Sequence, residues 1–377
     1  MIYLDNAATT KVSQEVIDAM LPYMSLNYGN PGSIHSMGRL AANAIEKARK
    51  QVAKPINADP ECIIFTSGGS EANTLAIVGL ADYLRRVGKT HIITSTVEHQ
   101  SVLEPIKYLF DNGFDVTHIS VDSNGYVSPD DVDNAIHGGT GLVSIMGINN
   151  EIGNKMDTKS IGQICRANDV LFHTDCVQAY CDTEIDVDKF CIDFLSASGH
   201  KFHAQKGIGF LYARNKDLLN PIIFGGKQEF GIRAGTENVP AIIGMGAAAE
   251  GVYRECHKTP EHYKTIKEEF FNILSELQGV YINGDPCKDS KIVNMRFDGV
   301  DGETLLLLLG SKGVVVSAGS ACTAHLAVPS HVLTAIGLSS DQARSSIRIS
   351  FSKYTTLEEV RDAARVVVES VKNLRRR

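Results

Sequence analysis

The chain has 377 residues, a formal net charge of −7, and 43% hydrophobic against 21% charged residues, an ordinary globular composition with no long stretch to read as disordered. That charge argues against nucleic acid as the main partner, because phosphate binding needs a basic surface. The apolar run at 305–309 falls far short of the roughly 20 residues that span a bilayer, and MIYLDNAATT has no basic lead into an apolar segment. Neither a membrane role nor a secretory signal is expected.

Short apolar runs at 63–65, 91–94, 116–121, 142–148, 170–175, 194–198 and 209–213 read as strands. Several are apolar on both faces, as strands covered by helices on each side must be. Segments between them, EANTLAIVGLADYLRR and KSIGQICRAN, have the apolar spacing of amphipathic helices. Together they predict a largely parallel α/β sheet. After Pro240 the pattern changes to a helical stretch, AIIGMGAAAEGVYREC, and another over 263–277. The strands IVNMRF and SSIRISF follow, then a helix over 357–374. A chain beyond about 250–300 residues should carry more than one core, so a second, smaller unit is expected here. The run at 305–309 reads as a buried helix.

Eight cysteines stand at 62, 165, 176, 181, 191, 256, 287 and 322, none spaced as CxxC, which argues against a zinc ribbon or a local iron–sulfur site. Reduced thiols in the cytoplasm are the expectation. Cys62 and Cys191 lie in apolar runs and read as buried packing groups. No metal site is expected.

In open α/β sheets ligands bind beyond the carboxyl ends of the strands, and five such places stand out. In TSGGSEAN the turn through Gly68 and Gly69 enters a helix capped by Ser70. Its free N–H groups suit a phosphate, although a plain strand-to-helix turn would look the same. His99 in TVEHQSV opens a helix, where an imidazole can stack on a flat ligand, shuttle protons, or do neither. Asp175 in HTDCVQA ends an apolar strand, with Gln178 one turn later. A buried carboxylate needs a partner, which could be a protonated ring nitrogen, a salt bridge or a helix cap. Lys201 in SASGHKFHAQKGIG sits among small residues and histidines with no carboxylate near in sequence. Enclosed, it could form a Schiff base with an aldehyde; exposed, it is a loop lysine. Ser198 and His200 could donate to a phosphate. Last, SAGSACTAHLAVPS carries Cys322 in a stretch of small residues before a helix start near Ser330, and a thiol exposed on such a loop is unusual unless used. Beyond it, Arg348 in SSIRISF could grip a carboxylate through two parallel hydrogen bonds, with Arg344 as competitor.

In this order and spacing the segments YLDNAATT, YGNPGSIH, TSGGSEAN, VEHQSV, NNEIG, HTDCVQA, SGHKFH, RAGTEN, GSACTA and SSIRIS resemble the cysteine desulfurases of the NifS/IscS type, fold-type I pyridoxal 5′-phosphate (PLP) enzymes, over nearly the whole chain. The resemblance implies a large PLP-binding domain over 16–256 and a small α/β domain formed by 1–15 and 257–377. It implies that Lys201 carries the cofactor as a Schiff base, His99 stacks on its ring, Asp175 pairs with the ring nitrogen and Gln178 bonds the ring hydroxyl. Gly69, Ser70, Ser198 and His200 hold the phosphate, and Thr236 reaches the phosphate of a neighbouring subunit in a homodimer. Asn30, Asn150 and Arg348 hold L-cysteine, with Arg348 on its carboxylate. Cys322 takes the sulfur as a persulfide, alanine leaves, and an iron–sulfur scaffold protein or other acceptor receives the sulfur. Departures at Ala204, Gln205, Lys227, Phe230, His325, Ala327 and Val328 bear on loop shape, rim charge and acceptor choice. Rival readings are another PLP enzyme on this scaffold, such as an aminotransferase, selenocysteine lyase or kynureninase-like hydrolase, and a sulfur carrier with a vestigial cofactor site.

Overall fold

A computed structural model describes residues 1–285, 290–318 and 329–376. Cys287 and Cys322 lie outside the described residues.

The seven predicted runs form one sheet, in the order Ile63–Thr66, Gly209–Ala213, Phe194–Ser198, Leu171–Asp175, Thr140–Ser144, His91–Ser95, Asp115–Ile119. All run in one direction except Gly209–Ala213, which is antiparallel to both its neighbours. The strands inside the edge strand Asp115–Ile119 are buried on both sides because separate hydrophobic clusters cover the two faces. One is built around Phe65, Ile93, Val143, Phe172 and Phe210, the other around Ile64, Leu75, Ile92, Leu142 and Leu211. Alternate residues therefore serve opposite layers. The run 142–148 leaves the sheet after Ser144, earlier than its apolar pattern suggests. The Met146 N–H there turns to the Glu98 carboxylate at 3.0 Å, and the Gly147 N–H to the Asp175 carbonyl at 2.9 Å.

The helix Val239–Glu255, capped by Asn238, lies against the helices Gln14–Ser25 and Ser36–Ala53. Its glycines permit this closeness: a Cβ on Gly244 would stand 2.7 Å from Met20 Sδ, and one on Gly246 2.8 Å from Ala48 Cα. The C-terminal sheet is antiparallel, in the order Ser346–Ser350, Ile292–Phe297, Val280–Asn283. Thr259–Leu274, Gly302–Ser311 and Leu357–Arg375 pack on it around Phe270, Phe297, Leu305, Phe351 and Val367. The leucine run is not wholly buried as expected. Leu305 and Leu309 face this core one helical turn apart, while Leu307 is 66% exposed.

Residues 2–5 belong to this C-terminal unit, although they begin the numbering. Ile2–Tyr3 pairs in parallel with Val314–Val315, Leu4 is in the same core, and Asp5 bridges to Ser350. Among the cysteines, 165, 176 and 181 are buried, but Cys62 and Cys191 are half-buried rather than buried as predicted, Cys62 still packing against the large-sheet core. Both sit at loop junctions, Cys62 ending a 3₁₀ turn and Cys191 at φ +51°.

Candidate active site

The strands that share one direction discharge their carboxyl ends into a cavity of about 260 Å³. Lys201 reaches it from the 3₁₀ turn Gly199–Lys201 that follows Phe194–Ser198. Its Nζ donates to the carbonyls of Ala7 at 2.6 Å and Ala8 at 3.0 Å. Burial, reinforced by the charges of Arg348 and Lys291, lowers its pKa to about 7. The lysine is enclosed, and much of its amine is neutral at physiological pH.

Asp175 closes its strand at the cavity wall and is 4% exposed. Its oxygens accept from the Val177 N–H at 2.9 Å and from Asn73 Nδ2 at 2.8 Å, both neutral donors, so its charge remains available to a cation in the cavity. Gln178 donates through Nε2 to the Ala7 carbonyl at 2.8 Å, which leaves its buried Oε1 without a partner.

His99 is the N-cap of Gln100–Asp111, its Nδ1 accepting the Ser101 N–H at 3.1 Å. With Nδ1 accepting, a neutral ring carries its proton on Nε2. Burial lowers its pKa. Ser101 also bonds His99 Nδ1 at 2.7 Å and accepts from Asn73 Nδ2 at 2.8 Å, so one chain of contacts links His99, Ser101, Asn73 and Asp175.

The helix Gly69–Val78 opens onto the same cavity. Its N-cap is Gly68, so Ser70 is not the cap that the sequence suggests but lies in the first turn, beside N–H groups that no helical carbonyl reaches. Glycine at 69 is required by packing, because a Cβ there would meet Val177 Cγ2 at 2.6 Å. Ser198 and His200 line the same cavity, Ser198 beside the helix start, with its Cβ 3.5 Å from where a Cβ on Gly69 would stand. Burial, with Lys201, Lys206 and Lys291 nearby, lowers the His200 pKa to about 4.

Arg348 is 2% exposed. It is fixed by Nη1 to the Asn150 carbonyl and by Nη2 to Asp5 Oδ1, each at 2.9 Å, while its buried Nε has no partner. Arg344 does not compete; it is exposed and pairs with Asp341. Asn150 lines the cavity beside Arg348.

Two predicted residues stand apart. Asn30 is exposed and accepts the Gly32 N–H at 2.9 Å, and Thr236 is exposed; neither lines the cavity. Cys322 lies outside the described residues, but the chain on either side of it is anchored at the site. Ser317 exchanges backbone hydrogen bonds with Arg348, Ser330 Oγ donates to Glu151 Oε2 at 2.5 Å, and His331 Nε2 meets the Glu98 carbonyl at 2.9 Å. Asp5, Asn73, Ser101 and the Ala7 and Ala8 carbonyls were not anticipated as site groups. Asp5 and the two alanines lie in YLDNAATT, and Asn73 in TSGGSEAN, so the motifs held them without revealing what they contact.

Comparison with known proteins places the chain in a family. Residues 2–362 match the family described as aminotransferase class-V. The chain is 44% identical over 375 residues to a cysteine desulfurase IscS of Methanosarcina thermophila, covering 99% of this chain and 93% of that protein. It is 45% identical to a putative cysteine desulfurase IscS 1 of Bacillus subtilis, covering 99% of both. Among solved structures, a NifS-like protein superposes with a TM-score of 0.92 at 35% identity over 99% of both chains. A structure described as SspA in complex with cysteine superposes at 0.82 and 38% identity, covering 94% of this chain and 100% of that one. The chain belongs to the class-V aminotransferase family, to its branch of the NifS/IscS type.

Proposed function

We propose that this chain is a PLP-dependent cysteine desulfurase that converts L-cysteine to L-alanine, with Cys322 taking the sulfur as a persulfide for iron–sulfur cluster assembly or another acceptor. The observation that carries the reading is the buried Lys201 amine, brought to a pKa of about 7 in a cavity that also holds the Asp175 carboxylate and the unpartnered Gln178 Oε1.

These residues fit PLP. A neutral amine is what an aldehyde needs, an anionic Asp175 matches a protonated ring nitrogen, Gln178 Oε1 can accept from the ring hydroxyl, and the start of Gly69–Val78 with Ser70, Ser198 and His200 suits a phosphate. The bound group supplies an electron sink. Lys201 Nζ, near half-protonated at neutral pH, can take a proton from the substrate α-carbon and return one. His99 Nε2–H is placed for a second transfer, and the Arg348 guanidinium, held by Asp5 and Asn150, receives the substrate carboxylate. The overall transfer balances: cysteine and the Cys322 thiol give alanine and the Cys322 persulfide, the substrate C–S bond breaking as the S–S bond forms.

A homodimer is part of the proposal. Thr236 stands outside its own cavity, and Ile17, Leu21, Met24, Leu26 and Tyr28 leave large apolar side chains 39–74% exposed around one helix and its exit, as a protein interface does. The division into 16–256 and 1–15 with 257–377 is supported by the C-terminal hydrophobic cluster and by residues 2–5 joining it, while Val332, Leu333, Ile336 and Ala343 pack into the cluster of the large sheet. No described helix is long and apolar enough to cross a membrane, and we place the enzyme in the cytoplasm.

The test is incubation of the PLP-loaded protein with L-cysteine, followed by assay for alanine and mapping of a persulfide-bearing peptide. Cys322→Ala should keep the visible absorbance of the bound cofactor and lose sulfide release. Normal turnover in that variant would sink the assignment and favour another PLP enzyme on the same scaffold.

A further inference from the structure

Behind Lys201, on the side away from the cavity, two charged residues meet, Lys291 buried and Asp182 13% exposed. Lys291, 5% exposed, comes from the C-terminal unit just before the strand Ile292–Phe297. Asp182 comes from the segment after Gln178. The Lys291 ammonium pairs with Asp182 Oδ2, and the same nitrogen donates to the main-chain carbonyl of Lys201 at 3.3 Å. The Lys291 carbonyl in turn accepts the Phe351 N–H at 2.9 Å, tying the arrangement to the chain that leaves the Arg348 strand. Two charges largely out of water are expensive to desolvate, and an apolar pair of similar volume is often no less stable. Stability alone is therefore a poor reason for placing them against the one lysine whose protonation matters.

We propose that the Lys291–Asp182 pair is a positioning device for Lys201, Lys291 holding its main chain from behind and setting the net charge that its amine faces. Lys291 touches neither cofactor nor substrate; it acts through Lys201. Asp182 sets how much of the Lys291 charge Lys201 feels. The other charged and titratable groups around Lys201 are Arg348 on the cationic side, Asp5 and Asp175 on the anionic side, and the imidazoles of His99 and His200. His200 and His203 feel the Lys291 charge too. The proposal rests on Lys201 being the cofactor lysine, but its first test does not need the cofactor.

In the full-length protein freed of cofactor, the pH dependence of Lys201 acetylation by acetic anhydride, read by peptide mapping, gives the midpoint of its amine. Lys291→Met should raise that midpoint by about one pH unit, a tenfold loss of reactive amine at a fixed pH below it. Asp182→Asn, which keeps the donor but frees its charge, should lower the midpoint, and Lys291→Arg should restore the wild-type value. A pair with only a structural role would move both variants the same way or neither, and either result overturns the proposal. If Lys291→Met does not fold, Asp182→Asn decides alone, with a midpoint at or above wild type as the overturning result. Adding PLP then tests the other reading separately. A visible band in wild type that is lost in Lys201→Ala supports the cofactor assignment, and its absence would remove that assignment while leaving the acetylation result to judge Lys291.

Discussion

Asp5 Oδ1 accepts from Arg348 Nη2 at 2.9 Å across 343 residues of sequence. The Asn150 carbonyl holds Nη1 of the same guanidinium, so the ring of donors is oriented before any substrate arrives. An ordered fork loses less freedom on gripping a carboxylate. Asp5→Ala should therefore lower kcat/KM for cysteine roughly tenfold, the worth of one charge-assisted hydrogen bond, mainly through KM and with the cofactor band retained. Steady-state kinetics with cysteine as varied substrate checks this.

Asp175 takes Asn73 and a backbone N–H as its partners, and in the proposed function its charge would keep a ring nitrogen protonated. Asp175→Asn should lower kcat by on the order of 100-fold or more, as loss of an aimed charge does. Asn73→Ala should cost roughly tenfold by loosening the carboxylate. The visible band of the bound cofactor should change shape with Asp175→Asn and little with Asn73→Ala, which absorbance spectra at fixed pH would show.

Glu98 is fully buried, bonded through Oε1 to Ser95 and to the Met146 N–H, with Oε2 unpartnered. Burial pushes its pKa from near 4.5 to about 8. Between those values the native state keeps a proton that the unfolded chain has released, so stability falls as pH rises through that window and the loss is complete above about 8. Glu98→Gln removes this dependence. Melting temperatures of variant and wild type should converge near pH 4.5 and diverge in favour of the variant toward pH 8.

Arg49 and Glu229 form a buried bidentate pair at 2.8 and 2.9 Å, with the guanidinium stacked between Phe65 and Phe230. Glu229 and Phe230 both adopt positive φ, +44° and +62°, a strain held by this pair at the start of the loop that carries Thr236. Glu229→Ala leaves the arginine buried and unpaired and should cost about 3–5 kcal/mol in urea unfolding. Arg49→Met combined with Glu229→Leu should recover part of that stability, while the positive-φ turn loses its clamp and activity stays low.

Most strands of the large sheet were legible because being apolar on both faces is a property of the local sequence; the edge strand Asp115–Ile119, with Asp115 and His118 exposed, is not of that kind. The end of the predicted run 142–148 was not, because Met146 and Ile148 stay apolar as cavity walls after the backbone has left the sheet for Glu98. Lys201, Asp175, Gln178 and His99 could be picked out because each follows a strand. Ser70 was misread as a cap because its neighbour Gly68 fills that role without a side chain. Asp5, Asn73 and Lys291 could not be found locally, since their partners lie 343, 102 and 90 residues away. Asn30 came from resemblance alone, and the chain turns its side chain back on Gly32.

The placement of residues 2–10 sets an order of events in folding. This segment donates or accepts at Gly313, Val315 and Ser350 on one side and at Gln178, His200 and Lys201 on the other. It is made 343 residues ahead of its partner Ser350, and it cannot dock until the strand Ser346–Ser350 exists. The large sheet can form before that, but the cavity cannot close. Closure of the cavity is thus a late event, of high contact order and slow to nucleate, and a chain interrupted before residue 350 would leave Lys201 at an open cleft.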